Sequence, residues 1–277
     1  IFGDIEDLAI LEKAMKNIDI VINLAALISI PYSYISPKSY IMTNILGTYN
    51  ILEAAKKNKL KKVILTSTSE VYGSAKYTPI DEKHVLQPQS PYSASKIAAD
   101  QLGLSYFNTY GVPVIIARPF NTFGPRQSTR AIIPSIITQM MSHAKYIKIG
   151  DVTTKRDFSY VGDTADFFIK IIFSKKKLNG EIINYGSGYS VTIKKVYESL
   201  KKITKSNCKL YPEKKRFRPK NSEVTELLCD NKKCLKLLGF KKAKDKQDQF
   251  LKGLKKTVEW YRKKENLDKF KIGEYSF

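Results

Sequence analysis

The chain has 277 residues, of which 43% are hydrophobic and 11% aromatic, so it can bury a sizeable core and wholesale disorder is excluded. Its most apolar run, residues 20–27, is too short to span a bilayer. The three cysteines lack zinc-ligand spacing, which argues against a disulfide framework and a structural metal and fits a reducing, cytoplasmic location. The net charge of +22 comes mainly from lysines in the C-terminal part, which we interpret as a solvated helical face, so we expect neither nucleic acid nor membrane as a partner.

The first 121 residues alternate between apolar strands and amphipathic helices. Nearly continuous apolar strands that alternate with helices are typical of a parallel sheet covered on both faces. The spacing of the apolar residues predicts, in chain order, a helix over Leu8–Lys16, a strand over Ile18–Leu24, a helix over Pro37–Lys57, a strand over Lys62–Thr66, a polar turn-rich stretch over Ser67–Gln89, a helix over Tyr92–Tyr110 and a strand over Val112–Arg118.

After Asn121 the alternation loosens, which indicates a smaller region interleaved with the sheet. We therefore divide the chain into residues 1–121, to which residues 150–185 return, and a smaller region formed by residues 122–149 and 186–277. The pattern predicts helices over Pro134–Ser142, Tyr160–Phe173, Thr192–Lys202, Asp230–Leu238 and Gln249–Lys264, short strands over Tyr146–Ile149 and Ile182–Tyr185, and a basic loop over Pro212–Asn221.

A ligand site is expected at one edge of the predicted sheet. Ligands of such sheets bind beyond the carboxyl ends of the strands, which here carry small or polar residues at 24–26, 67–70 and 118–121. A dinucleotide fold opens with a strand, a glycine-rich turn and a helix, but the sequence contains no such turn. Gly3-Asp4-Ile5 is typical of the exit from an internal strand, so we expect the first strand–helix–strand unit to be missing from the chain.

Tyr92 and Lys96 stand four residues apart at the start of a predicted helix. This spacing places both side chains on one helical face. An ammonium group beside a phenol favours the phenolate and lowers the tyrosine pKa, which makes Tyr92 a candidate base for a sugar hydroxyl. On its own the pair is equally compatible with an exposed tyrosine beside a solvated lysine.

Thr68-Ser69-Glu70 follows the predicted strand that ends at Thr66. Hydroxyl groups at a strand end can orient both Tyr92 and a substrate hydroxyl, and a carboxylate at the same place is a candidate for C–H proton abstraction. The alternatives are turn chemistry for the hydroxyl residues and a solvated loop acid for Glu70. The presence of Tyr92 and Lys96 about two dozen residues later favours the catalytic interpretation.

Together these segments resemble the extended short-chain dehydrogenase/reductase superfamily, in particular its NAD-dependent nucleotide-sugar epimerases and dehydratases. The resemblance covers nearly the whole chain and implies a Rossmann-like doubly wound parallel sheet, incomplete at its N-terminus, with a smaller α+β substrate-binding domain. The segments that carry it are Gly3–Ile5, Asn23–Ala26, Asn44–Thr48, Ser67–Gly73, Tyr92–Lys96, Ala117–Arg126, Arg156–Val161 and Arg218–Pro219.

Within that family, Thr68-Ser69-Glu70 is similar to the GDP-mannose 4,6-dehydratases and to the UDP-xylose synthases, whereas galactose-type 4-epimerases usually place small or hydroxyl residues where Glu70 stands. The dTDP-glucose dehydratases carry Thr-Asp-Glu, so Ser69 replaces an acid here. Residues 127–134 resemble the dehydratases of legionaminic-acid-type pathways, which act on a nucleotide-linked N-acetylglucosamine. The resemblance thus implies an enzyme with catalytic residues Thr68, Ser69, Glu70, Tyr92 and Lys96.

The resemblance also implies the binding residues. NAD would contact Tyr92 and Lys96 together with Asp4, Ile5, Leu24, Ala25, Ala26, Thr43, Ser67 and Thr122. The nucleotide-diphosphate sugar would contact Thr68, Asn121, Arg130, Arg156 and Arg218, and arginine suits this role because its guanidinium forms two parallel hydrogen bonds to a phosphate. A homodimer is implied through the helices over Pro37–Lys57 and Tyr92–Tyr110.

Two alternatives stay open within the enzymes, a 4-epimerase and a UDP-glucuronate decarboxylase. A third alternative belongs to another class: an inactive subunit or fragment that binds NAD or a nucleotide sugar, since the sequence lacks the phosphate-binding turn. Stabilisation by NAD would distinguish a cofactor-binding enzyme from this last possibility.

Overall fold

The computed structural model describes residues 1–142, 144–241 and 243–270. Its first half contains, in chain order, α1 (Leu8–Ala14), β1 (Ile20–Asn23), α2 (Ile30–Ile35), α3 (Pro37–Tyr40), a π-helical segment (Ile41–Leu46), α4 (Gly47–Lys57), β2 (Lys62–Thr66), a 3₁₀ helix (Ser69–Tyr72), α5 (Pro91–Tyr110), β3 (Val114–Pro119) and β4 (Asn121–Phe123).

The second half continues with α6 (Ile132–Met141), β5 (Tyr146–Ile149), β6 (Lys155–Tyr160), α7 (Val161–Ile172), β7 (Ile182–Tyr185), β8 (Ser190–Thr192), α8 (Ile193–Thr204), β9 (Lys209–Pro212), two 3₁₀ turns (Lys214–Arg216 and Lys220–Ser222), β10 (Glu226–Leu227), α9 (Lys232–Leu238), α10 (Lys246–Arg262) and α11 (Lys264–Leu267).

The main sheet is parallel, with strand order β1-β2-β3-β7. Because successive strand residues point to opposite faces, Leu65 and Ile116 pack with α4 and α5, whereas Ile64 and Ile115 pack with α7 and α9. Each face is therefore covered by a pair of helices. Gly103 of α5 allows the helix to approach the sheet closely, since a Cβ atom there would lie 2.6 Å from Leu65 Cδ1.

A second group of short strands builds the smaller part of the molecule. Here β6 pairs with β4, β8 and β10, and β5 pairs separately with β9. Phe123 of β4 and Phe158 of β6 pack against α6, α8 and α10, where Phe250 lies 5.5 Å from Phe123 between ring centroids. This core is separate from the two that cover the main sheet.

The predicted α/β class with a parallel sheet is confirmed, but several details differ from the sequence prediction. The predicted helix over Pro37–Lys57 is widened to π-helical geometry in its middle. The prediction missed the short helices α2 and α11 and five strands, which are two to six residues long and carry too few apolar residues for a period to be visible: β4, β6, β8, β9 and β10.

The structure also alters the predicted assignment of two segments. Residues 150–185 were expected to return to the main sheet, yet β6 lies in the second group of strands, and α7 and β7 are the elements of that segment that pack on the main sheet. Within residues 186–277, α9 packs on the main sheet through Cys234 and Leu238. None of the described helices is both long and apolar enough to span a membrane.

Candidate active site

The sequence-predicted site residues gather at the carboxyl edge of the main sheet. In a parallel sheet all strands end at the same edge, so residues that follow β1, β2 and β3 become neighbours. A side-chain link holds this edge together from the β1 side: Asn44 donates to the Leu27 carbonyl oxygen and to Ser95 Oγ, each at 2.9 Å. The loop after β1 is thereby fixed against the start of α5.

The start of α5 positions Tyr92 and Lys96. Ser90 caps the helix in a reciprocal capping box with Ser93, and Pro91 occupies the first turn, so the sequence defines where this helix begins. Tyr92 is 6% exposed, and its ring lies 6.2 Å from that of Tyr40 in an edge-to-face arrangement. The phenol is therefore held by packing inside the site.

Lys96 is also buried, and its Nζ donates to the Thr66 carbonyl oxygen at 2.6 Å. Burial lowers the pKa of Lys96, because a low-dielectric surrounding disfavours the charged form, and the charge of Asp100 opposes this shift. The ammonium group thus points to the end of β2, next to the turn that carries Thr68.

The expected lowering of the Tyr92 pKa is wrong for this structure. Burial raises the pKa of Tyr92, and the charge of Glu70 raises it further, while a hydrogen bond with Thr68 opposes the shift. The prediction failed because it considered the nearby ammonium and not the cost of burying a phenolate. The Thr68 contact agrees with the predicted placement of that hydroxyl beside the phenol.

Glu70 is held inward by a short 3₁₀ helix. Thr68 Oγ1 accepts a hydrogen bond from the Glu70 backbone nitrogen at 3.2 Å and so caps the helix, and Ser69 and Glu70 are both buried. The Glu70 carboxylate lies 3.5 Å from Arg218 Nη1, with 10% of its side chain exposed. The structure therefore places Glu70 in the same cluster as Tyr92 and not on a solvated loop.

Two arginines and a second carboxylate complete this side of the cleft. Arg156 Nη2 lies 3.3 Å from Glu223 Oε1, and Arg218 Nη1 lies 3.9 Å from the same oxygen. Burial lowers the pKa of Arg156, and the charges of Glu70 and Glu223 oppose the shift. Four charged groups therefore face one another across distances too long for tight pairing.

Asn121 and Arg130 reach the same region from the segment after β3. Asn121 Oδ1 is buried without a hydrogen-bond partner, which is unusual in a folded protein and typical of a position that a ligand donor would satisfy. Burial raises the pKa of Tyr40 to about 12, and the charge of the exposed Arg130 opposes that shift, so its guanidinium lies near the ring that packs on Tyr92.

The candidate cofactor residues fall into two groups. Leu24 is 67% exposed, although it is apolar and directly follows a buried strand end, and Ala25 and Ala26 continue the same surface. Three other side chains are occupied within the protein: Thr43 donates to Glu6, Ser67 donates to Asp100, and Thr122 bonds to Thr164. The hydroxyls of this second group are thus not directed freely at the cleft.

Asp4 and Ile5 lie at the outer side of the same edge. The Asp4 carboxylate accepts from the Glu6 backbone nitrogen, and the Ile5 side chain packs against Gly47. Asn50 donates to the carbonyl oxygens of Ile5 and Glu6 at 3.0 and 2.9 Å. The segment is therefore anchored to α4 in a defined position.

This set of groups fits a dinucleotide. An exposed apolar surface at Leu24–Ala26 suits a nicotinamide ring, and a buried ammonium with three donors can bind ribose hydroxyls in addition to the Thr66 carbonyl oxygen. The Asp4 carboxylate is a suitable acceptor for a ribose or adenine donor. The residues present can thus hold the part of the cofactor that reaches the reacting carbon.

The sequence prediction missed three side chains of the cleft. Tyr34 of α2 bonds to Ser222 at 2.5 Å, and burial raises the pKa of Tyr34, which the Ser222 hydrogen bond opposes. Glu223 pairs with the arginines described above. Glu223 could have been found from its position shortly after Arg218-Pro219. Tyr34 could not, because α2 is too short to give a periodic pattern.

Comparison with known proteins places the chain among nucleotide-sugar enzymes. A family model described as GDP-mannose 4,6 dehydratase matches residues 1–252. A dTDP-D-glucose 4,6-dehydratase of Mus musculus is 30% identical over 254 residues, which are 90% of this chain and 69% of the relative.

Solved structures of both reaction types have the same fold. The dTDP-glucose 4,6-dehydratase of Streptomyces venezuelae, solved with NAD bound, superposes with a TM-score of 0.84 at 27% identity, covering 97% of this chain and 80% of the other. A UDP-N-acetylglucosamine 4-epimerase of Methanobrevibacter ruminantium superposes with a TM-score of 0.83 at 34% identity, covering 94% and 82%.

Proposed function

Because the chain belongs to the family of NAD-dependent nucleotide-sugar 4,6-dehydratases and 4-epimerases, we propose that it is a 4,6-dehydratase of a nucleotide-diphosphate hexose, such as an NDP-N-acetylglucosamine. One observation carries the choice of dehydratase. The Glu70 carboxylate is buried beside Tyr92, and an elimination across C5 and C6 needs a second base that an epimerisation at C4 does not need.

The first step is oxidation at C4 of the sugar. Tyr92 accepts the proton of the C4 hydroxyl, and Thr68, which bonds to the phenol, holds that hydroxyl in place. NAD, when bound, supplies hydride acceptance at C4 and hydride return at C6. Lys96 favours the phenolate through its charge and binds the ribose, so Tyr92 functions as a base in the loaded site although burial alone raises its pKa.

The second step is elimination of water. The new 4-keto group acidifies the C5–H bond, and Glu70 removes that proton. The C6 hydroxyl then leaves as water, which needs one proton, and we propose that Glu70 returns it directly or through a water held by Ser69. Hydride return to C6 would leave an enolate, which takes a proton from solvent at C5, and Tyr92 would release to solvent the proton that it accepted from the C4 hydroxyl. The net products are then the 4-keto-6-deoxy sugar and one water.

The diphosphate would lie on the arginine side of the cleft. Arg156 and Arg218 face two carboxylates at 3.3 to 3.9 Å, so a phosphate with several acceptor oxygens can replace weak pairs by bidentate hydrogen bonds. Asn121 offers a buried acceptor to a substrate donor, and Arg130 lies on the Tyr40 side.

A panel of nucleotide hexoses with NAD tests the proposal. A product that absorbs in alkali as a 4-keto-6-deoxy sugar is expected from the wild-type chain. Glu70→Gln should retain C4 oxidation, seen as transient NADH absorbance, and lose water elimination by about 10²–10⁴-fold. Glu226→Gln, the same change at a carboxylate that bonds to Ser190 in the second group of strands, is the matched control and should leave turnover unchanged.

The second candidate is a 4-epimerase, which the similarity to the Methanobrevibacter enzyme favours. A C4-inverted sugar that keeps its C6 oxygen, formed equally well by Glu70→Gln, would establish that function and overturn the dehydratase. If no nucleotide hexose is converted and millimolar NAD gives no thermal stabilisation, the chain is the inactive subunit or fragment.

A further inference from the structure

Asp100 lies one helical turn after Lys96 and is fully buried. A single carboxylate oxygen, Oδ2, accepts hydrogen bonds from Ser67 Oγ at 2.7 Å and from Arg118 Nε at 2.9 Å, and Arg118 Nη2 lies 2.9 Å from the same oxygen. Burial raises the pKa of Asp100, and the charge of Arg118 and the hydrogen bond from Ser67 oppose that shift, so both contacts favour the carboxylate form. The family resemblance and the proposed mechanism assign no role to this residue.

The cluster is rigidly built into the sheet. Arg118 Nη1 donates to the Tyr72 hydroxyl at 2.9 Å, and Tyr72 in turn donates to Asn184 Oδ1 at 2.7 Å. The chain of contacts thus runs from α5 across β3 to the 3₁₀ helix and on to β7. Both charged side chains of the Arg118–Asp100 pair are almost wholly removed from solvent, at 1% and 2% exposure.

Asp100 acts on the site by two routes. Its charge raises the pKa of Lys96, against the lowering that burial causes, so it favours the ammonium form. It also accepts a hydrogen bond from Ser67, which stands between Thr66 and Thr68 in the chain. The Thr66 carbonyl oxygen accepts from Lys96, and the Thr68 hydroxyl bonds to Tyr92. The Asp100 carboxylate is therefore linked to Lys96 and to the turn that carries Thr68, the two groups beside the Tyr92 hydroxyl.

We propose that Asp100 is a positioning residue, which keeps Lys96 charged and fixes the turn that presents Thr68 to Tyr92. The consequence for catalysis rests on the proposed function, whereas the effect on Lys96 does not. Asp100 touches neither substrate nor cofactor in this assignment and acts through its neighbours.

The direction of the pH effect follows from the surrounding charges. The titratable groups that face Tyr92, Lys96 and Asp100 are Glu70 from the 3₁₀ helix, Tyr40 from α3 and Arg118 from β3. Removing the Asp100 charge lowers the pKa values of Lys96 and of Tyr92, because a nearby negative charge favours the protonated form of both. Both limbs of the pH–rate profile should then move to lower pH.

The direct test is an NMR titration of Lys96 Nζ in ¹⁵N-lysine-labelled protein, with the signal assigned by its loss in Lys96→Met. In Asp100→Asn the midpoint should fall by at least about one pH unit. Because this variant leaves Arg118 buried without its counter-ion, a second variant, Asp100→Asn with Arg118→Gln, removes both charges and keeps amide groups that can bond. It should still show a downward shift of the Lys96 midpoint, smaller than in the single variant because a neighbouring positive charge is removed as well.

The pH–rate profile gives the second measurement. Both limbs should shift to lower pH in the double variant, whereas a purely structural role would lower the rate without moving either limb. An unchanged Lys96 midpoint in the two variants would overturn the inference. A shifted midpoint in a protein that converts no nucleotide sugar would leave the role of Asp100 toward Lys96 standing and reject the proposed function instead.

Discussion

Two pairs of an arginine and a carboxylate, Arg118–Asp100 and Arg218–Glu70, flank the candidate site and differ in almost every physical respect. The first pair makes two contacts at 2.9 Å and is 1% and 2% exposed. The second is 3.5 Å apart, and its side chains are 23% and 10% exposed. The first has its partners inside the protein, whereas the second lies in a cleft with two further charged groups.

The comparison shows why residue type alone does not reveal the role of a charge. A tightly satisfied buried pair holds its surroundings in place, and breaking it leaves an uncompensated charge. A loose pair at the edge of a cleft costs little to separate, so its arginine can bind an anionic ligand. The two pairs therefore predict opposite outcomes when the arginine of each is removed.

The largest expected effect is on stability. Arg118→Met leaves Asp100 buried and unpaired and should lower the free energy of unfolding by about 3–5 kcal/mol, measured by urea denaturation. The matched control, Arg218→Met, removes the same group from the loose pair and should cost clearly less, because Arg156 still faces Glu70. If both variants lose the same free energy of unfolding, the two pairs contribute equally to stability and the proposed difference between them is wrong.

The same two arginine–carboxylate pairs show which parts of this site the sequence could predict. Tyr92 and Lys96 are visible in the sequence because helical spacing is local, and Glu70 could be placed near them because parallel strands end at one edge. The pairing of Asp100 with Arg118 could not be predicted, since it depends on how α5 lies across β3. Tertiary packing, and not any local pattern, decides that contact.

The fold shows the same limit. Almost wholly apolar strands such as β2 and β3 were predictable because each buries both faces. The short strands β4, β8 and β10 have only two or three residues and are fixed by their partner β6. Even where the residues were predicted, the sign of the Tyr92 pKa shift was wrong, because burial is a property of the folded molecule.

The next effect concerns ligand binding. Arg218→Met should raise KM for the nucleotide sugar about 10–100-fold, the loss expected for charge-assisted hydrogen bonds of about 1.5–3 kcal/mol, with a smaller change in kcat. Arg218→Lys keeps the positive charge but cannot form the two parallel hydrogen bonds of a guanidinium, so it should recover only part of the affinity for the nucleotide sugar. A variant whose KM stays at the wild-type value would show that Arg218 serves only to balance Glu70.

The smallest effect is expected at the contact between α2 and the loop that carries Glu223. Tyr34 bonds to Ser222 at 2.5 Å, and Ser222 donates to the Gln89 carbonyl oxygen. Ser222→Ala removes both bonds and should lower the free energy of unfolding by about 0.5–1.5 kcal/mol, as expected for hydrogen bonds between neutral groups.

A double-mutant cycle with Tyr34→Phe separates this contact from general damage. If the two hydroxyls bond to each other, the two losses should be less than additive, because the second change removes an interaction that the first has already removed. Ser222→Ala should also raise the pKa of Tyr34 further, since the Ser222 hydrogen bond opposes the effect of burial there. If the two losses in the free energy of unfolding are fully additive and the Tyr34 titration is unchanged, α2 and this loop are positioned independently of each other. This side of the cleft would then be as weakly held as the Arg218–Glu70 pair.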